Sequence, residues 1–313
     1  MTATSEAPGY RSLHDTAAWL DLDARGRLIA RGRDRARFLH NVTSNEVKKM
    51  LPGGGCYAFL LTPQGRIQAD IHLFCFDEHF LIDTEPDLRV KVPGLILKYK
   101  VADQVELEDT TESTSSIGVE GPDAGPFLAG LGAPTPAGDC AHAAWGDATV
   151  ARVSLTGQPG FRIFCAREQK AAIIGKLAAA GIGQATAEDA RLVRIENGKP
   201  RYGEDIIETS LPQETQQMQA ISFTKGCYLG QEIVERIRAQ GRVNWKLARV
   251  AIEGAEPVAP GTHLTAGGSD AGEVTSSVYS PRFGKVVAIA RLRAVSAENG
   301  TVLAIDGRSA TVA

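Results

Sequence analysis

"TKGCYLGQE", residues 224–232, places a single thiol, Cys227, between two glycines. Lys225 stands two residues before the cysteine, and Gln231 and Glu232 follow it. The apolar residues after Gly230 recur at helical spacing, which predicts that a helix begins there. Cys227 is therefore predicted to lie on the turn just before a helix.

That position favours a reactive thiol. The positive end of the helix dipole and the charge of Lys225 would both stabilise a thiolate. Gln231 and Glu232 would add an amide and a carboxylate beside the sulfur, and the two glycines permit close approach by another molecule. We therefore group Cys227, Lys225, Gln231 and Glu232 as candidate catalytic residues. The alternative is a buried apolar cysteine, the usual state of a free thiol.

Composition identifies a folded globular chain. Of 313 residues, 43% are hydrophobic and 23% charged, close to ordinary globular usage. The length suggests about two domains. The net charge of -3 and the pI near 6.1 argue against a broad nucleic-acid footprint, because such domains are usually basic. We expect no direct nucleic-acid binding.

Location and metal content follow from weaker patterns. No stretch reads as a secretory signal or a membrane span, so we expect a cytoplasmic protein without membrane contact. The five cysteines are scattered, with no pair at zinc-ligand spacing, so we expect no self-contained metal site. We expect four of them to be buried apolar residues: Cys56, Cys75, Cys140 and Cys165.

Strand and helix patterns alternate without regular β-α-β spacing, which favours an α+β fold with antiparallel sheets. Residues 56–83 read as a three-stranded meander, and residues 87–99 read as an amphipathic helix. After Trp245 the chain is β-rich with frequent turns, as in a small barrel. We therefore predict two domains, residues 1–240 and a C-terminal β-barrel over residues 241–313.

The sequence also contains an arginine cluster, whose role it does not decide, and two histidines. Six arginines lie between positions 25 and 37, either as a solvated basic face or as a patch for an anion or partner. His72 and His79 are expected to be a strand-surface residue and a turn residue rather than ligands.

The motif "KGCYLGQE" resembles the signature of the YgfZ family of folate-binding proteins, whose eukaryotic relatives mature mitochondrial iron-sulfur proteins. Other segments resemble that family and its parent group, the glycine-cleavage T-proteins, in the same order along the chain: "DRARFLHNVTSNEV", "GRIQAD", "RIENGKPRYGEDI", "LPQE" and "GEVTSSVYSPRFGKVVAIARLR". The resemblance implies a cloverleaf of two interleaved α+β units plus the C-terminal barrel, with tetrahydrofolate as cofactor in a central opening.

The resemblance also implies folate-binding residues. Tyr57 and Asp70 match a pocket tyrosine and an acidic residue facing the folate, although T-proteins have a double acid where this chain has Ala69-Asp70. Gln158 of "TGQPGFRIF" stands where T-proteins place a glutamate that pairs with the pterin edge. Three further residues match the shared motif, where a helix end and turn is an equal alternative: Arg194, Glu196 and Tyr202.

Three functions remain in competition. The first is a folate-dependent accessory factor for assembly or repair of iron-sulfur clusters, acting on assembly or client proteins, with Cys227 as reactive thiol or transient cluster ligand. The second is an aminomethyltransferase of the T-protein type, passing a one-carbon unit to tetrahydrofolate. The third is a structural or RNA-modification scaffold, since a YgfZ-like protein could act indirectly through enzymes that thiolate tRNA.

Overall fold

The computed structural model describes residues 7–313. Its α-helices, in chain order, are α1 Pro8–Asp15, α2 Arg35–Val42, α3 Lys91–Leu97, α4 Ala124–Gly130, α5 Lys170–Ala179, α6 Ala187–Glu196 and α7 Gln231–Gln240. Its strands are β1 Ala18–Asp21, β2 Gly26–Arg31, β3 Gly55–Leu61, β4 Ile67–Cys75, β5 Phe80–Thr84, β6 Glu106–Asp109, β7 Thr114–Glu120, β8 His142–Trp145, β9 Ala148–Ala151, β10 Gly160–Ala166, β11 Gly183–Gln184, β12 Trp245–Ile252, β13 His263–Ala266, β14 Ser269–Ser280, β15 Lys285–Arg293, β16 Val302–Ile305 and β17 Arg308–Val312.

The first sheet has the strand order β3-β4-β5-β2-β6, with antiparallel neighbours. The inner strand β4 alternates between two environments, because successive side chains of a strand point to opposite faces. Ile67, Ala69 and Ile71 are buried in the apolar core of this unit. Asp70 and His72 therefore lie on the other face, toward the second unit.

The second sheet has the order β11-β1-β7-β10-β9-β8 and is antiparallel except for the short β1–β11 pair. The chain starts in this sheet with β1, builds the whole first sheet, and returns with β7. Residues 202–234 then pack again on the core of the first sheet. Because the chain crosses repeatedly between the two sheets, the two α+β units are interleaved.

Strands β12 to β17 close a barrel in the order β12-β15-β14-β13-β16-β17. Alternate residues of β15, such as Val286 and Ala288, fill the barrel interior. Val287 and Ile289 point outward and pack on Ile195 of α6, so the barrel is joined to the second unit through an apolar contact. Burial of such side chains contributes about 1.5–3 kcal/mol each.

The structure confirms the predicted α+β class, the interleaved units and the C-terminal barrel. The meander over residues 56–83 is present, while the helix predicted for residues 87–99 is shorter, with a 3₁₀ turn at Pro86–Leu88 before α3. The domain division at residues 240 and 241 stays a prediction.

Of the two alternatives left open for residues 25–37, a solvated basic face does not include the first two arginines. Arg25 is 5% exposed and Arg27 is 1% exposed. Arg27 donates to backbone carbonyls that include Thr111 O at 2.6 Å, so it holds a loop of the fold together. The periodicity of the sequence could not reveal this burial, since the partners lie far away along the chain.

Candidate functional site

A cavity of about 390 Å³ lies between the two sheets. Strands β3 and β4 contribute one wall, and the β9–β10 loop with the segment after α6 contributes the opposite wall. Four of the predicted site residues line it: Tyr57, Asp70, Gln158 and Arg194. Residues separated by more than 100 positions meet here because the interleaved chain brings the two sheets face to face.

Asp70 and Tyr57 form the polar centre of the β3–β4 wall. The Tyr57 hydroxyl donates to Asp70 Oδ2 at 2.8 Å. Asp70 Oδ1 is buried and has no hydrogen-bond partner among the described residues. Burial, with the nearby negative charge of Glu85, raises the pKa of Asp70 to about 6. A buried acceptor without a donor costs free energy, so this oxygen is suited to a ligand N–H group.

His72 lines the same cavity, which corrects its interpretation as an ordinary strand-surface residue. Burial, with the nearby charge of Arg162, lowers its pKa well below the usual value, so the ring is neutral. Its ring lies 4.9 Å from the Tyr57 ring, centroid to centroid. The two rings provide a partly apolar surface inside an otherwise charged cavity.

A buried ion cluster forms the floor of the cavity. Arg25 Nη2 lies 2.7 Å from Asp83 Oδ1, and Arg162 also pairs with this carboxylate. Burial alone would raise the pKa of Asp83, but these two arginines hold it at about 2. The cluster extends from Arg25 to Glu85, whose other oxygen accepts from Arg201 Nε at 2.7 Å.

Sequence reasoning missed most of this cluster. A signal was available for Arg162, which interrupts the apolar strand "GFRIFC" and had to find a carboxylate if that strand was buried. Arg162 Nε still lacks a partner among the described residues. Arg25, Glu85 and Arg201 carry no comparable signal, because each lies in a polar segment.

Two further cations of the cavity are not paired with carboxylates in the described part of the chain. Arg152 stacks on Phe161 at 5.7 Å, and Lys199 donates to the Ser154 carbonyl. Burial lowers the pKa of Lys199. These two side chains are free to neutralise an anionic ligand.

The remaining predicted folate residues lie in different places. Arg194 touches the cavity but is neutralised by Asp205 at 2.6 Å and Glu204 at 2.7 Å. The Tyr202 hydroxyl donates to Gln68 O at 2.7 Å, and its ring packs in the core of the first unit. Glu196 is 1% exposed and lies behind Gln158, connected to it through His14.

Cys227 lies away from the central cavity. It is exposed and lines a separate surface groove of about 410 Å³, formed mainly by α2 with Tyr99 and Asp103. No described residue lines both the groove and the central cavity. The fold therefore separates the exposed thiol from the candidate folate site.

The polar residues around Cys227 support the loop that carries it. Lys225 Nζ donates to the carbonyl oxygens of His40, Thr43 and Asn45 at 2.5, 2.7 and 2.6 Å. An ammonium group has three donors, so these three carbonyls use the full donor capacity of Lys225. Lys225 therefore holds the backbone around α2, and its action on Cys227 stays a prediction.

Gln231 and Gly230 also stabilise the loop that carries Cys227. Gln231 Oε1 accepts from the Tyr228 backbone N–H at 2.8 Å. Gly230 has a φ of 82°, and a Cβ there would lie 2.6 Å from Thr62 O, so its close neighbour is the chain itself. Glu232 is exposed on the first turn of α7.

The other four cysteines are less accessible. Cys75, Cys140 and Cys165 are buried, while Cys56 is partly exposed, which departs from the expected full burial. Burial raises the pKa of every one of them, to about 12 for Cys140 and about 11 for Cys165. Cys140 also lines the central cavity.

Residues 7–313 lack two structural features. No helix there is long and apolar enough to cross a membrane. No group of three or more His, Cys, Asp or Glu side chains there has the arrangement to hold a metal ion.

An interleaved pair of α+β units around a polar cavity, followed by a closed barrel, defines a T-protein fold. Residues 5–225 match the family described as GCVT N-terminal domain, and residues 246–313 match the glycine cleavage T-protein C-terminal barrel domain. The first match spans well over half of the chain, so the chain belongs to this family.

Individual relatives support the same assignment. An aminomethyltransferase of Thermus thermophilus is 28% identical over 99% of this chain and 89% of its own length. An aminomethyltransferase of Rubrobacter xylanophilus is 27% identical over 90% of this chain and 77% of its own. The crystal structure of aminomethyltransferase T from Bartonella henselae covers 97% of this chain and 87% of its own, with a TM-score of 0.87 and 18% identity. At 18% identity, the similarity to this crystal structure shows a shared fold.

Proposed function

We propose that the protein binds tetrahydrofolate in the central cavity. The observation that carries this proposal is Asp70 Oδ1, a buried oxygen with no donor among the described residues, on a side chain that lines the cavity together with Tyr57 and His72. A reduced pterin has N–H groups along its edge and rings, and a carboxylate accepts such donors strongly. The aromatic rings supply an apolar surface for the pterin, as is usual in small-molecule sites.

The unpaired cations of the cavity fit the other end of the same ligand. Tetrahydrofolate ends in a glutamate tail, whose carboxylates need positive partners at neutral pH. Arg152 and Lys199 line the cavity and are not paired with a carboxylate within the described residues. We propose that these two side chains bind the carboxylates of the glutamate tail.

We further propose that the folate-bound protein is an accessory factor for assembly or repair of iron-sulfur proteins, and that Cys227 provides its thiol. The YgfZ-like motif "KGCYLGQE" supports this role. The loop architecture is consistent with it, because Lys225 and Gln231 fix a loop on which Cys227 is exposed. One thiolate cannot hold a cluster that takes four ligands, so a partner protein would contribute the others.

An aminomethyltransferase is the second candidate, and the names of the relatives favour it. Two features of the cavity weigh against it. Ala69 lies in the apolar core on the opposite face of β4, so Asp70 is the only carboxylate that this strand supplies to the cavity. Gln158 is neutral where T-proteins carry a glutamate.

One set of assays separates the candidates. Anaerobic calorimetry with tetrahydrofolate should show binding by the wild type, and the purified chain should release no ammonia above background from an aminomethyl-loaded lipoyl carrier. In a strain lacking the gene, the wild type should restore iron-sulfur enzyme activity, whereas Cys227→Ser should not. Cys56→Ser serves as the matched control. Robust aminomethyl transfer would establish the second candidate instead.

The same strain tests the third candidate. If the accessory role is correct, any tRNA thiolation defect should accompany lost activity of other iron-sulfur enzymes. A thiolation defect alone would favour an RNA-modification scaffold. The proposal keeps a cytoplasmic location, in line with the five free cysteines.

A further inference from the structure

Gln158 is connected to a buried carboxylate through one histidine. Gln158 Nε2 lies 3.4 Å from His14 Nδ1, and His14 Nε2 lies 2.7 Å from Glu196 Oε2. The side chains of His14 and Glu196 are 7% and 1% exposed. Water therefore has little access to the histidine, and these two neighbours are the hydrogen-bond partners of its ring nitrogens.

The carboxylate determines which ring nitrogen carries the proton. Glu196 Oε1 accepts from the Tyr10 hydroxyl at 2.8 Å and from the Ser280 hydroxyl. Burial and the Glu196 carboxylate raise the pKa of Tyr10, so its hydroxyl stays protonated and donates. An ionised carboxylate only accepts hydrogen bonds, so His14 Nε2 must donate to Oε2. In the neutral ring, Nδ1 is then an acceptor.

The orientation of the Gln158 amide follows. Only the amide nitrogen of Gln158 can donate to His14 Nδ1, which leaves the amide oxygen available to the cavity that Gln158 lines. We propose that His14, held by Glu196, is a positioning residue that presents the Gln158 carbonyl oxygen to the cavity and so selects ligands with an N–H donor at this point. The inference rests on the proposed function, because the donor is that of a pterin.

The ligand chemistry that would be selected is specific. A 4-oxo pterin such as tetrahydrofolate carries a hydrogen on N3 beside its 2-amino group. Its 4-amino-4-deoxy analogue lacks that N3 hydrogen and has an acceptor there. An amide oxygen held toward the cavity discriminates against the analogue, since two acceptors would face each other in a buried site. An amide free to rotate could present its NH₂ group and would accommodate both.

Calorimetry with tetrahydrofolate and with its 4-amino-4-deoxy analogue tests the proposal. The wild type should prefer the 4-oxo ligand by about tenfold or more. His14→Leu removes the acceptor for Gln158 together with the donor to Glu196, which keeps its hydrogen bonds from Tyr10 and Ser280. Its preference should fall to about twofold or less, with the amide released. Tyr10→Phe is the matched control, since it removes another donor to Glu196 without contacting Gln158, and it should keep the wild-type preference.

A second measurement does not depend on any variant. Imidazole ¹⁵N chemical shifts of His14 in the wild type should show a protonated Nε2 and an unprotonated Nδ1 at neutral pH. A protonated Nδ1, or a ligand preference unchanged in His14→Leu, would overturn the inference while leaving folate binding intact. Failure of the wild type to bind either ligand would instead overturn the proposed function, and this inference with it.

Discussion

The Tyr57 hydroxyl and Asp70 Oδ2 are joined by a hydrogen bond of 2.8 Å, while Asp70 Oδ1 has no donor among the described residues. Tyr57 therefore fixes the carboxylate with one oxygen satisfied and one available. Burial raises the pKa of Tyr57 well above its usual value, with Asp70 adding to the effect, so the hydroxyl remains a donor. Asp70 is thus oriented before any ligand arrives.

Replacing Asp70 by Asn should weaken tetrahydrofolate binding about five- to tenfold, because a neutral amide oxygen accepts more weakly than a carboxylate. Calorimetry under anaerobic conditions measures the change. Asp77→Asn, an exposed acid on the β4–β5 turn, should bind like the wild type. Equal affinity in Asp70→Asn and the wild type would remove this carboxylate from the site.

The raised pKa of Asp70, about 6, predicts a pH dependence with a definite sign. Lowering the pH from about 7 to about 5 protonates the carboxylate, and the proton occupies an acceptor position that the ligand needs. Affinity of the wild type should therefore fall across this window. Asp70→Asn has no proton to gain and should show a flatter profile. Parallel profiles for the two proteins would contradict the assignment.

Gln158→Glu should tighten tetrahydrofolate binding about fivefold, because the gain from a second, charge-assisted acceptor for the pterin donors exceeds the loss of the 3.4 Å contact with His14 Nδ1. Gln219→Glu is the matched control, since it adds the same charge to the cavity lining at another position. It should leave affinity unchanged or weaken it slightly. Equal effects of both substitutions would mean that only the overall charge of the cavity matters.

Cys227 should alkylate first among the five cysteines at neutral pH. It is the exposed one, whereas burial raises the pKa of the other four and keeps them as thiols. Mass spectrometry after brief treatment with iodoacetamide reads out the order. Earlier modification of Cys56, which is partly exposed, would show that the loop of Cys227 is shielded in solution.

Lys225→Met should destabilise the fold by about 3 kcal/mol, because three backbone carbonyls in and just after the last turn of α2 lose a charged donor. Urea denaturation measures the free energy of unfolding. Lys246→Met, a half-buried lysine at the start of the barrel, should change it by no more than about 0.5 kcal/mol. If Lys225→Met retained full stability, the lysine would be free to act on the thiol as first predicted.

Local sequence patterns were sufficient to predict most of the architecture. The alternation of β4 predicted a strand with one apolar face, and the turn-rich sequence after Trp245 predicted the barrel. Both signals depend on neighbours within a few residues, so they can be read along the chain. The resemblance carried by "KGCYLGQE" supplied the interleaving that periodicity alone does not encode.

The contacts of the candidate functional site could be identified only from the tertiary structure. The sequence by itself determined the α+β class, the barrel and a distinctive cysteine loop, because these follow from local periodicity and motif spacing. Only the folded chain decided that Arg25 and Arg162 would meet Asp83, that Lys225 would bind backbone carbonyls around α2, and that His14 would join Gln158 to Glu196. Each of these contacts spans at least 58 positions, and a buried charge takes whichever partner the packing of distant segments provides.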